Sequence, residues 1–125
     1  PNSKTVFAAT GGQFGHGSTS MILHEVGHAY DDVSGYPSGG NAFSKAYQAD
    51  YANLTSYYKQ PGGAGKSELY AESFANFYSK NTVYFSNKPN VSAYWNSLPA
   101  EMKLEGENYE QSCNIFSSDL NRSVA

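Results

Sequence analysis

A single cysteine stands among the 125 residues of this chain, so no internal disulfide can staple the fold. No apolar run approaches the roughly 18 residues that a membrane-spanning helix needs. Charged residues are scarce at 15%, and their net charge of −3 is mild. Neither a basic stripe for nucleic acid nor an acidic, solvated tail is present. No signal peptide is visible, and the chain opens PNSKTV without an initiator methionine. That opening is expected of a processed product or of a domain cut from a larger protein.

Aromatic residues are plentiful instead, with 11 Tyr and 7 Phe in a chain that is 39% hydrophobic. They suffice for one core rich in phenol hydroxyls, and the length allows one domain, residues 1–125, rather than two. TVFAA at 5–9 reads as a short strand, followed by the glycine-rich TGGQFGHG. Ser18 or Thr19 can then cap a helix to about Asp32. Phe43, Ala46, Tyr47, Tyr51 and Leu54 recur at helical spacing and predict a second helix from about Asn41 to Tyr57. Past the breaker KQPGGAGK, Ser67 can cap a third helix, ELYAESFANFYSK. TVYF at 82–85 fits a short strand or a turn, and two more helical pieces follow, near VSAYWNSL and from Pro99 onward. The last residues carry no strong pattern and are expected to fray. The fold class is therefore α+β, mainly helical with a little sheet.

Within the first helix, HEVGH puts His24 and His28 at i and i+4, one above the other on one face. Both rings can aim a nitrogen at one point, and Glu25 projects beside them, close enough to reach a water there. Catalytic zinc takes three protein ligands and leaves one position open. A third ligand six residues after His28 is excluded, because that position is Ser34. His16 sits alone in the glycine-rich loop, and Cys113 lies in no ligand-like spacing. The remaining source is SELYAES, with Glu68 and Glu72 at i and i+4 on the third helix. Glu68 is assigned as the third ligand, and Glu72 as the acceptor of a ring N–H from His24, which would fix its tautomer. Both acids would also suit a solvated helix N-terminus, where the helix dipole favours negative charge. Asp31, one turn beyond His28, can serve the same face or bind the SGYPSGG turn; the turn is the preferred reading.

With these residues assembled, the chain resembles the catalytic domain of anthrax lethal factor and its relatives, including the clostridial Pro-Pro endopeptidases. The likeness rests on HEVGHAYDD with GY close behind, NLTSY at 53–57 and ELYAESF at 68–74, continuing more weakly through NKPNVSAYWN. It covers about residues 18–98. The resemblance implies a zincin-like metallopeptidase fold with a small sheet beside the active-site helix. It also implies a gluzincin-type zinc endopeptidase that is secreted or injected. By likeness, His24, His28 and Glu68 hold Zn2+, Glu25 is the general base and Glu72 supports a ligand.

The family also has a transition-state tyrosine a few residues before the ligating Glu, and NLTSY nominates Tyr57 for that role. Here the gap to Glu68 is longer than the family's, and Pro61 stands at the family spacing, so Tyr58 competes. The catalytic core would span about 5–98, with a helical extension and tail at 99–125. A protein or peptide substrate is expected, with no nucleic acid and no membrane span, and a cognate immunity or inhibitor protein would suit a bacterial toxin or effector. The rival readings are a zinc amidase acting on cell-wall peptides and a catalytically dead metal-binding interaction module.

Overall fold

The fold is organised around a helix that is buried on nearly every side. In the computed structural model, which describes residues 21–124 and side chains through 112, this helix is α3, Ala64–Tyr78. Leu69, Phe74, Ala71 and Ala75 are fully buried, as are the polar Glu72, Ser73 and Asn76. An element so enclosed must satisfy its polar groups within the protein. Ser73 does so by accepting the indole N–H of the buried Trp95 at 2.8 Å.

The other helices pack around α3. Helix α1, Met21–Val33, lies along it, α2, Asn41–Asp50, packs mainly on α4, Pro89–Asn96, and α5, Ala100–Val124, covers α1. Aromatic rings fill the interior: Phe43 meets Tyr70 edge-on at 5.2 Å, and Phe77 stacks on Trp95 at 5.7 Å. Such pairs add roughly 0.5–1.5 kcal/mol each beyond the area they bury. No helix among the described residues is long and apolar enough to cross a membrane.

The expected small sheet is not found among the described residues, although their mainly helical character is. The strand expected at 5–9, the helix cap at Ser18 or Thr19 and the glycine-rich loop lie outside those residues. TVYF is not a strand: it falls within a 3-10 segment, Thr82–Asn87. Its backbone bonds are local, as in Lys88 N to Phe85 O at 2.9 Å, which suits a segment with no strand to pair with among the described residues. The zincin-like topology is thus an expectation that these helices neither complete nor exclude.

Element boundaries shift where tertiary contacts intervene. The second helix stops at Asp50 rather than near Tyr57, and continues as two 3-10 turns, Tyr51–Asn53 and Ser56–Lys59. Leu54 between them is extended and buried, and the Asn, Thr and Ser of NLTSY offer the backbone local alternatives to a helix. Asp50 itself caps another helix. Its buried carboxylate accepts Asn90 N at 3.0 Å, Val91 N at 2.8 Å and Asn90 Nδ2 at 2.8 Å, at the start of α4. Those are N–H groups that α4's own N-cap, Lys88, leaves without a side-chain partner. Asp50→Ala is expected to cost about 3 kcal/mol, because charge-assisted bonds are lost and a buried donor is left unpaired. Urea unfolding at neutral pH measures it, and a loss below about 0.5 kcal/mol would contradict this role.

The tail runs as helix α5 to Val124, where a frayed end was expected. Helix α1 ends in a Schellman stop. Tyr36 N donates to Asp31 O at 2.8 Å and Gly35 N to Asp32 O at 3.2 Å, around the left-handed Gly35. The Asp31 carboxylate then takes Ser38 N at 3.0 Å and Ser38 Oγ at 2.6 Å, so it holds the turn.

Candidate metal centre

Helices α1 and α3 approach closely because small residues meet where they cross. A Cβ on Gly27 would lie 2.7 Å from Ala71 O and 2.8 Å from Ala71 Cα, so only glycine fits there. The polar side chains sit at matching offsets from this crossing. His24 and His28 are three before and one after Gly27, and Glu68 and Glu72 are three before and one after Ala71. Each pair straddles the contact, so the imidazoles of one helix face the carboxylates of the other.

The two histidines converge on one atom. His24 Nε2 lies 2.9 Å and His28 Nε2 3.1 Å from Glu68 Oε1. Their rings meet edge-on, with centroids 4.8 Å apart. His24 Nδ1 faces Glu72 Oε1 at 2.7 Å, and His28 Nδ1 faces Ser67 Oγ at a longer 3.4 Å. Each ring therefore turns Nε2 inward and has a polar partner on Nδ1. His24 and Glu72 are buried, whereas the His28 and Glu68 side chains keep 27% and 25% exposure, leaving one side open.

These positions suit a divalent cation of the zinc type. One ligand atom from each of His24, His28 and Glu68 falls within a span of 4.8 Å. Zinc bonds of about 2.0–2.1 Å at tetrahedral angles separate ligand atoms by roughly 3.4 Å. To reach that, the two contacts to Glu68 Oε1 would open by a few tenths of an ångström and the widest pair would close from 4.8 Å.

Tyr57 joins the cluster from the 3-10 turn before α3, donating its hydroxyl to Glu68 Oε1 at 2.7 Å. Tyr58 points into the core: its ring is buried and its carbonyl accepts Tyr47 OH at 2.6 Å. The longer gap before Glu68 is absorbed by the turn through Gly62 and Gly63, both left-handed. Glu25 is exposed on α1 beside His24, and among the described residues no hydrogen bond ties its carboxylate to the cluster. His16 and the Cys113 side chain lie outside what is described.

Two residues at the site escaped the sequence reading in this role. Ser67 reads as a helix cap, but α3 begins earlier behind the left-handed Gly63, which frees the Ser67 hydroxyl to face His28. Asn76 contacts Glu72 Oε2 through Nδ2 at 3.2 Å; its only sequence signal was its place one turn beyond Glu72.

The electrostatics of the ion-free cluster follow from these contacts. Burial pulls the His24 pKa down, but hydrogen bonds to Glu68 and Glu72 and their charges outweigh it and raise the value to about 9. Burial pushes Glu68 up, yet hydrogen bonds from His24, His28 and Tyr57 hold it well below the ordinary carboxylate range. The same carboxylate and burial raise Tyr57 far above the usual phenol range, so its hydroxyl stays protonated.

A group raised on folding adds stability that is complete below its unfolded pKa and is lost as pH climbs through the folded one. For His24 that window runs from about 6.5 to about 9. The lowered Glu68 adds stability above its unfolded value of about 4.5 and loses it as pH falls. The chelator-treated protein is therefore expected to be most stable near pH 5–6.5 and to weaken toward pH 9. Urea midpoints across pH 4–10 check this, and a midpoint that rises between pH 7 and 9 would refute it.

Comparison of the chain with protein-family models, with curated proteins and with solved structures finds no match.

Proposed function

We propose that the chain is a zinc-dependent endopeptidase. The observation that carries this reading is the convergence of His24 Nε2 and His28 Nε2 on Glu68 Oε1 beside an exposed Glu25. In support, the three groups come from two helices locked by a contact that excludes any side chain at position 27. The likeness to lethal factor-type peptidases names the same residues and extends the proposal to a bacterial toxin or effector module, secreted or delivered into a target cell.

His24, His28 and Glu68 would hold the cation. When bound, it would make a water more acidic and polarise the scissile carbonyl. Glu72 and Ser67 face the outer nitrogens of the two rings, so that each ring presents Nε2 toward the place the ion would take. Glu25 takes a proton from the water as its oxygen bonds to the carbonyl carbon. As the C–N bond breaks, Glu25 returns that proton to the leaving amine. Tyr57, whose hydroxyl reaches Glu68 Oε1 at 2.7 Å, donates that hydroxyl to the developing oxyanion. The partly exposed side of His28 and Glu68 is where an extended peptide would enter.

The deciding experiment is zinc titration followed by digestion of a peptide library, with and without chelator. One tightly bound zinc per chain and chelator-sensitive cleavage are expected. Zinc binding without cleavage of any peptide would favour the interaction-module reading, and cleavage confined to cell-wall peptides would favour the amidase. Absence of zinc binding would reduce the cluster to a buried ion pair.

A further inference from the structure

The Glu72 carboxylate is fully buried, and such a group keeps its charge and orientation only where donors hold it. Oε1 faces His24 Nδ1 at 2.7 Å, and Oε2 faces Asn76 Nδ2 at 3.2 Å. Asn76, also fully buried, donates from the same nitrogen to the Glu72 carbonyl at 2.9 Å, so its amide protons both go to residue 72. Its Oδ1 accepts Asn81 Nδ2 at 2.7 Å. This last bond determines which way the amide faces. Turned over, Asn76 would set its oxygen against the carboxylate and its NH2 against that of Asn81.

Asn81 is held in turn by the way α3 ends. Asn81 N donates to Asn76 O at 2.9 Å and Lys80 N to Phe77 O at 3.2 Å, the paired bonds of a Schellman stop. The stop needs a left-handed residue, and Lys80 adopts φ 62° there, although glycine does so more easily. The end of the helix thereby delivers an amide donor to the one atom of Asn76 that must accept.

We propose that Asn76, oriented by Asn81, is a positioning residue of the metal centre: it fixes the Glu72 carboxylate against His24 and so sets the direction and basicity of that ring. The inference rests on the metal reading above and adds to it a relay of four side chains, Asn81 to Asn76 to Glu72 to His24. Without Asn76 the carboxylate loses a donor and can rotate, and the ring it orients can tilt.

The test is zinc titration of the wild type, Asn76→Leu, Asn81→Ala, Glu72→Gln and the Glu72→Gln/Asn76→Leu pair, with urea unfolding of each ion-free protein alongside. Asn76→Leu is expected to weaken zinc binding about tenfold, the lower end for partners outside the ligand set. Asn81→Ala should give a smaller loss in the same direction. In the Glu72→Gln background Asn76→Leu should add nothing, because its effect passes through that carboxylate. A merely structural Asn76 would lower stability and leave zinc affinity unchanged, or lower affinity equally in both backgrounds; either result overturns the proposal. Should Asn76→Leu fail to fold, Asn81→Ala, at the more exposed helix end, carries the test, and wild-type affinity there overturns it. A wild type that takes up no zinc overturns the metal reading and this one together, whereas tight wild-type binding with unchanged variants overturns this one alone.

Discussion

Gly27→Val is expected to lower zinc affinity by about two orders of magnitude and to destabilise the ion-free protein by about 3 kcal/mol. The obstacle to any side chain at this position is the Ala71 backbone, 2.7 Å from where a Cβ would sit, and backbone cannot swing aside as a long side chain can. Overpacking of this kind costs about 1–3 kcal/mol even when the structure adjusts. The only adjustment open is for α1 and α3 to separate. Separation pulls His24 and His28 from Glu68, and a metal site tolerates ligand displacements of only about 0.2 Å. Gly27→Ala should show the same two effects in milder form. Isothermal titration with zinc and urea unfolding read them out, and a folded Gly27→Val protein with wild-type zinc affinity would show that the crossing does not set the site.

Glu25→Gln is expected to do the reverse, leaving metal affinity within about twofold and cutting peptide turnover about 10²–10⁴-fold, the usual contribution of a general base. Glu25 is exposed and among the described residues makes no hydrogen bond to the cluster, so its amide should disturb neither ligand geometry nor fold. The amide keeps the size and shape of the carboxylate but cannot accept the proton of the attacking water. Zinc titration and cleavage of one peptide substrate, run on the same preparation, separate the two effects. Loss of zinc would mean that Glu25 ligates or props the site, and full activity would mean that another group is the base.

Much of the site could be read from the sequence because its signals are local. His24 with His28, and Glu68 with Glu72, are i and i+4 pairs, and helical spacing alone puts each on one face. What spacing could not give is how the two faces meet, which depends on a glycine and an alanine packing backbone to backbone. The glycine inside HEVGH was the available clue, since glycine in mid-helix is tolerated at a cost and often marks a close approach. The long second helix failed for the opposite reason. Its apolar period does run on to Leu54, but Asp50 is drawn away to cap α4 and Leu54 becomes a buried, extended link. Ser67 has the chemistry of a helix cap, but the left-handed Gly63 moves the start of α3 upstream of it. TVYF has the composition of a strand, but pairing is a property of two segments, and among the described residues it has no partner.

His28 and Glu68 stand 40 positions apart in the chain, with α2 and the three 3-10 turns of the intervening stretch, Pro37–Gly39, Tyr51–Asn53 and Ser56–Lys59, looped out between them. An ion gripped by both would act as a removable cross-brace, closing that loop much as a disulfide would in a protein whose lone cysteine cannot form one within the chain. Resistance of residues 29–67 to proteolysis would then track the free zinc concentration, and a chelator would leave that stretch open to digestion.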